Sequence, residues 1–335
     1  MMERTMKAVW YETQGPANEV LVLGDTPIPQ PGPGDVLVRL HASGCNPSDV
    51  KLRAGARPMG FDRIIPHSDG AGVIVATGGG ITKDRIGQRV WIWNGQWQRS
   101  MGSCAEYIAL PETQAVRLPE ETGFAEGACL GIPAMTAYRC VTAGSPVEGT
   151  SVLVTGGAGT VGRYAIQIAA ALGATVTTTV STPEKAEYAR KAGAHHIVNY
   201  RDEDAAEAIM DLTGGVDRIV EVEFGANLDI TAQIIKPNGV IAAYGSAGDM
   251  TPVLPFYRLM FKDVTLRMVL VYLLTESARK ASIDGLMALL EAGQLTHSVA
   301  ENFELAETVG AHQSVERAGK MGSVVVTIPG SPSQP

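Results

Sequence analysis

Residues 151–162 read SVLVTGGAGTVG, and the rest of the chain is organised around them. Five residues of strand character, 151–155, run into a glycine cluster and then into a helix-like stretch at 161–172. Gly157, Gly159 and Gly162 fit the pattern G-x-G-x-x-G, with Ala158, Thr160 and Val161 between them. Such a turn suits a dinucleotide. The first glycine permits a tight turn, the second lets backbone approach a pyrophosphate, and the third packs helix on strand. The helix start offers N–H groups and a positive dipole end to the phosphates. A glycine-rich turn alone is weak evidence. Here it lies between a strand and a helix, and further βα units follow, so these six residues are taken as cofactor-binding.

The segments beyond continue that rhythm. Strands are expected at 175–180, 196–199, 218–221 and 240–244, and helices at 184–192, 205–212 and 228–235, with a helix at 126–143 leading in. Strands alternating with helices at this spacing imply right-handed crossovers and a doubly wound parallel sheet. The N-terminal third differs. Short apolar or alternating runs at 7–11, 35–42, 70–78, 89–93 and 105–109 read as strands of a β-rich domain. The proline- and glycine-rich run 26–34 reads as a loop. The tail holds a helix at 282–292 and a closing strand at 323–328 that could return to the first domain, and 329–335 reads as a frayed end.

The chain has 335 residues, 45% hydrophobic and 19% charged, with a net charge of −8, which suits a two-domain soluble protein. No basic run provides a nucleic-acid surface. The polar start shows no secretory leader, and the most apolar late segment, 264–274, is short and carries Arg267, so no membrane span is expected. The four cysteines form no C-x-x-C pair and read as reduced, mostly core thiols, which makes the cytoplasm the expected location.

Several segments together resemble the zinc-independent medium-chain dehydrogenases/reductases, in the quinone oxidoreductase branch that includes zeta-crystallin. They are PGPGDVLV at 31–38, GCNPSDVKLRAG at 44–55, PHSDGAG at 66–72, GQRV at 87–90, GSCAEY at 102–107, TVSTPEKA at 179–186 and GKMGSVV at 319–325. The resemblance implies an α/β protein with a GroES-like β-rich catalytic domain, residues 1–128 and 270–335, flanking a Rossmann cofactor domain at 129–269. It also implies a homodimer, with 264–274 as the candidate edge strand.

An NAD-binding fold carries an acidic residue near the end of the second strand, to bond the ribose 2′-hydroxyl. Here that strand ends Thr-Val-Ser181-Thr, and Glu184 lies beyond Pro183 at a helix start. Ser181 and Lys185 instead offer a hydroxyl and a cation to a 2′-phosphate, and NADPH is expected. By resemblance, Tyr200 joins them, Thr136 lies near the nicotinamide, and Lys320 reaches the cofactor phosphates. Gly245 and Ser246 follow the fifth strand of the Rossmann unit, at the sheet's cofactor-binding edge.

Cys45 and His67 have a spacing close to that of two zinc ligands, but the register excludes them as the family's ligands. Counted back from Gly72, the zinc branch's ligand histidine falls on Ser68, and its distant third position falls on Ile132. Cys45 reads as a small core hydrophobe, and no metal is expected. Without a Lewis acid the easier reaction is hydride transfer to an acceptor that delocalises its own charge, a quinone or an α,β-unsaturated ketone. The interface of the two domains is expected to supply the dry cleft. Asn46, by resemblance, lies beside the nicotinamide and contacts the acceptor; it also reads as a turn residue before Pro47. The proton comes from solvent or from Lys51. Lys51 stands where zeta-crystallin-like chains carry Tyr, a feature similar to enone reductases. The alternatives are a reductase of another activated alkene, acrylate-like, and an NADPH-binding protein with little turnover. The segment WIWNGQW at 91–97 reads either as packing of the β domain or as the lining of a flat substrate pocket.

Overall fold

A computed structural model describes residues 4–317 and 319–329. Two units partition the chain: residues 1–132 with 297–335, and residues 133–296. The expected frayed end, apart from Pro329, lies outside the described residues.

In the first unit a hairpin-like pair, β1 (Thr5–Trp10) and β2 (Val22–Pro27), stands beside a seven-stranded sheet. That sheet contains β3 (Asp35–Cys45), β4 (Asp69–Thr77), β5 (Arg89–Ile92), β6 (Tyr107–Pro111), β7 (Ala115–Arg117) and, from the end of the chain, β14 (Val299–Glu304) and β15 (Ser323–Thr327). The long β3 is the hub. It pairs antiparallel with β4, with β6 and with β15, where Val324 sits opposite Cys45. Fully buried Val36, Val38, Ile74, Ile92 and Ile108 fill its core. The short helices of the N-terminal part include α1 (Ala17–Val20), α2 (Pro47–Arg53) and α3 (Phe124–Gly127), and α11 (Thr308–Glu316) closes the unit.

The second unit has the parallel order β10-β9-β8-β11-β12-β13, with β8 (Ser151–Val154), β9 (Thr175–Val180), β10 (His196–Asn199), β11 (Val216–Glu221), β12 (Ile235–Ala243) and β13 (Thr265–Met268). The connecting helices are α4 (Met135–Val141), α5 (Thr160–Ala171), α6 (Pro183–Lys191), α7 (Ala205–Thr213), α8 (Phe224–Ile234), α9 (Phe256–Met260) and α10 (Glu276–Glu291). The strand order reverses between β8 and β11. In open parallel sheets ligands bind at such a reversal, beyond the carboxyl ends of the strands.

Two expectations are corrected. The helix expected at 126–143 is broken into α3, a wide π-type turn at Leu130–Ala134, and α4. Pro133 has no N–H to donate, and the Ile132 N–H is taken by the Asp69 carboxylate, so a continuous helical ladder cannot form. The late helix, expected with the first unit from residue 270, stays with the second. Gly285 of α10 packs on Tyr138 of α4 so closely that a Cβ there would lie 2.1 Å from the tyrosine oxygen. Farther on, Gln167 exchanges hydrogen bonds of 2.7 and 3.0 Å with the Thr296 backbone.

Candidate active site

The glycine turn joins β8 to α5, whose N-cap is Gly159. Its left-handed residue is Gly156, at φ 65°, one position before the motif's first glycine. The tight turn expected of Gly157 is therefore made by its neighbour. Gly157 is needed for a different reason, since a Cβ there would lie 2.1 Å from Thr178 Oγ1 on β9. At Gly162 a Cβ would meet the Gly156 carbonyl oxygen at 2.4 Å, so the third glycine does pack the helix against the turn. Thr160, Val161 and Gly162 form the first turn of α5, where backbone N–H groups lack intrahelical acceptors. Ala158 is buried within the turn.

Beside this turn lies a cavity of about 270 Å³, lined by Thr155, Gly156, Thr179, Tyr200, Glu223 and Asn227 among others. It sits at the carboxyl ends of β8, β9 and β11, so the fold brings Tyr200 to the edge of the glycine turn. Glu221, which the sequence reading passed over, braces these strand ends from beneath. It is buried, and its Oε1 accepts from Thr155 Oγ1 at 2.9 Å, from Glu223 N at 2.6 Å and from Asn227 Nδ2 at 2.9 Å. Burial raises its pKa, opposed by these donors. An acidic residue following the apolar pair Ile219–Val220 at a strand end was the available signal.

Ser181 and Lys185 flank the start of α6. Thr182 is its N-cap and accepts from the Lys185 backbone N–H, which turns the lysine back over the strand end. Lys185 Nζ then donates to Ser181 Oγ at 3.0 Å. Glu184 is exposed. Gly245 and Ser246 line a second cavity of about 340 Å³ with Phe224 and Leu270. Ser246 Oγ is held by the Gly225 N–H and the Asp249 carbonyl. Thr136 is buried in α4.

In the first unit, Asn46 caps α2, as its place before Pro47 suggests, and its side chain also enters a buried carboxyl pair. Its backbone N–H donates to Asp49 Oδ2 at 2.8 Å, and its Nδ2 donates to Asp69 Oδ2 at 2.9 Å. Ile132 N lies 2.9 Å from both Asp69 oxygens. Burial pushes the Asp69 carboxyl well above the usual range and Asp49 up to about 7. The space around Asp69 is closed, since a Cβ on Gly131 would lie 2.1 Å from Asp69 Oδ1. Lys51 lies on the exposed side of α2. Lys320 is engaged with the carbonyl end of α11, donating to Ser314 O at 3.2 Å and Val315 O at 3.1 Å. The aromatic segment is split between the core of the β domain and a cavity wall. Trp91 and Trp93 are buried, while Trp97, under the Arg57 guanidinium at 4.9 Å, lines a cavity of about 330 Å³.

At Ser68 and Ile132, where the zinc branch of the resembling family places ligands, and at Asn46, which shares Asp69 with Ile132, the donor set does not fit a cation. Asn46 and the Ile132 backbone both turn N–H groups to Asp69, and the Ile132 side chain is a hydrocarbon. His67, set aside on register, nevertheless comes within reach of Cys45, together with His312.

The chain matches the family described as alcohol dehydrogenase GroES-like domain over residues 32–120, and the one described as zinc-binding dehydrogenase over residues 160–291. It is 31% identical to a quinone oxidoreductase of Homo sapiens, across 97% of this chain and 99% of that protein. It is also 31% identical to a 2-haloacrylate reductase of a Burkholderia species, across 96% and 98%. A mycobacterial protein solved in complex with NADPH superimposes with a TM-score of 0.85 at 28% identity, covering 96% of this chain and all of that one (100%). A GroES-like unit and a Rossmann unit thus define a nucleotide-dependent oxidoreductase. The chain belongs to the quinone oxidoreductase family of the medium-chain dehydrogenases/reductases.

Proposed function

We propose that this protein is an NADPH-dependent reductase that transfers hydride to a quinone or an α,β-unsaturated carbonyl compound without a catalytic metal. The observation that carries the cofactor choice is the Lys185–Ser181 contact of 3.0 Å at the end of β9, where an NAD enzyme would carry a carboxylate. A 2′-phosphate placed there meets a cation and a hydroxyl. Tyr200 borders the neighbouring cavity, the turn Gly157 to Gly162 receives the pyrophosphate at the start of α5, and Gly245, Ser246, Thr136 and Lys320 complete the cofactor-binding set. When bound, the nicotinamide supplies the hydride. The chain's own task is to orient and to exclude water. Asn46, anchored through its side-chain amide to Asp69, is the residue assigned to the nicotinamide and the acceptor. Donors at Asn46, Ser68 and Ile132 offer no Lewis acid site, which favours an acceptor able to spread its own developing charge. Lys51, on the open side of α2, and solvent are the proton sources.

One observation favours a second reading, an acrylate-like alkene. The Arg57 guanidinium over Trp97 gives the cavity of the first unit a partner for a carboxylate.

The same reading makes the protein a cytoplasmic homodimer acting on small molecules, with no nucleic-acid or membrane partner. No described helix is long and apolar enough to cross a membrane. β13 is the end strand of its sheet, and Met268, Leu270 and Leu273 beside it are exposed at 65%, 47% and 65%. A second copy pairing along this edge would cover them.

The test is NADPH oxidation by the purified protein against panels of quinones, enones and acrylates, with NADH in parallel. NADPH-linked turnover of one panel assigns the acceptor class. NADPH binding with no turnover on any panel refutes the reductase reading and leaves a binding protein.

A further inference from the structure

We propose that Cys45, His67 and His312 form a metal site inside the first unit, suited to a d¹⁰ cation that prefers one thiolate and two imidazoles, Zn²⁺ or Cu⁺. Cys45 ends β3, His67 lies two residues before β4, and His312 is in the middle of α11. Their ligand atoms all lie within 4.8 Å of one another, and all three side chains are buried. The two Nε2 atoms are 3.1 Å apart. Two imidazoles on one tetrahedral zinc, each about 2.0–2.1 Å from it, place their nitrogens about 3.3 Å apart. With a metal–sulfur bond of about 2.3 Å, the sulfur would stand about 3.6 Å from each nitrogen, so it closes by at most about 1.2 Å from a separation within 4.8 Å.

The proton positions around His67 follow from its neighbours. Ser103 Oγ lies against the Asp69 carbonyl, which can only accept, so the Ser103 hydroxyl donates there. The 2.8 Å contact between Ser43 Oγ and Ser103 Oγ must then be donated by Ser43. Ser43 oxygen in turn accepts at its 2.8 Å contact with His67 Nδ1. His67 therefore carries its proton on Nδ1 and presents the Nε2 lone pair toward His312 and Cys45. A metal-binding histidine commonly has its second nitrogen held in this way, which fixes both tautomer and ring orientation. The ring is also set by the backbone, since His67 adopts φ 74°, which few side-chain-bearing residues do. With His67 Nε2 accepting, His312 Nε2 donates the 3.1 Å contact in the metal-free protein, and binding a metal moves that proton to His312 Nδ1, which has no other hydrogen-bond partner. Burial keeps both imidazoles neutral, the state that binds metal.

The site is separate from the position the zinc branch uses. Asn46 follows Cys45 in extended backbone, and neighbouring residues of an extended chain point to opposite sides. Asn46 is turned to Asp69, while Cys45 packs into the core. A cation here would join β3, the approach to β4 and α11, the two histidines alone being 245 residues apart in sequence. Loading exchanges one proton for the metal: the Cys45 thiol loses H⁺ to solvent as its sulfur binds, and no electron moves.

The experiment strips the full-length protein with a chelator and re-equilibrates it anaerobically, under reducing conditions, with Zn²⁺, Co²⁺ as a spectroscopic substitute, or Cu⁺. Metal content, proton release and thermal midpoint are then read. Stoichiometric uptake with a thiolate-to-cobalt charge-transfer band and a raised midpoint is expected. Uptake of zinc alone or of copper alone names the ion. Cys45→Ser and His312→Gln, each checked by circular dichroism, should weaken binding by tenfold or more. Cys104→Ser, which removes another buried thiol, should leave it unchanged. No stoichiometric uptake of either ion overturns the proposal, as does uptake that survives both ligand variants or depends instead on Asn46 and Ser68.

Discussion

Replacing Lys185 by Met tests the cofactor reading at one atom. The lysine ammonium lies 3.0 Å from Ser181 Oγ, and the helix it starts is capped through its backbone N–H by Thr182, which the substitution leaves in place. The change therefore removes charge without removing the cap. A hydrogen bond from a charged donor contributes about 1.5–3 kcal/mol. With tenfold per about 1.4 kcal/mol, kcat/KM for NADPH should fall by about 10- to 150-fold. NADH has no 2′-phosphate to lose, so its kcat/KM should stay within about twofold, as for a surface substitution away from the site. Ser181→Asp should go further, setting a carboxylate against the phosphate while offering one to a ribose 2′-hydroxyl, and so move the preference toward NADH. Initial rates with both cofactors at saturating acceptor measure this. An equal fall for NADPH and NADH, or no fall for either, would refute the assignment of Ser181 and Lys185 as the selector.

Other outcomes follow from the same contacts. Gly131→Ala would press a methyl against Asp69 Oδ1 and the Ile92 carbonyl, so it should cost about 1–3 kcal/mol in urea unfolding and reduce turnover. Asn46→Ala leaves the Asp69 carboxyl short of a donor and should cost a similar amount, with a larger loss of kcat than of NADPH affinity. His41 is held down to about 4 by burial and stacks on Phe124 at 4.2 Å. Its folded pKa lies below the unfolded value near 6.5, so its contribution is complete above about pH 6.5 and is lost as pH falls toward 4, with a slope of at most about 1.4 kcal/mol per pH unit. His41→Phe keeps the stack and should flatten unfolding midpoints in that window; an unchanged slope would count against the burial argument. Met268→Lys with Leu273→Lys should convert a dimer to a monomer in light scattering, while a dimer that persists moves the interface elsewhere.

The sequence alone determined what depends on short-range pattern. Alternation and helical spacing marked most of the longer strands and helices near their observed bounds, because side chains at period 2 or 3.6 report burial locally. The turn at 151–162, the Ser181–Lys185 pair and the cap at Asn46 lie within a few residues of one another and were legible for the same reason. The tertiary structure decided the rest. That Gly156 makes the left-handed turn, while Gly157 is required by the approach of Thr178 from a neighbouring strand, is visible only in the folded chain. That residues 126–143 do not form one helix depends on Asp69, more than sixty positions upstream, capturing the Ile132 N–H. Of Cys45, His67 and His312, only the spacing of the first two was visible in the sequence, because the members come from a strand end, a left-handed connector and a helix brought together only when β15 and α11 return to β3. Local chemistry fixes which elements form; contacts between residues hundreds of positions apart decide which side chains share a site, and those depend on packing that no window of sequence contains.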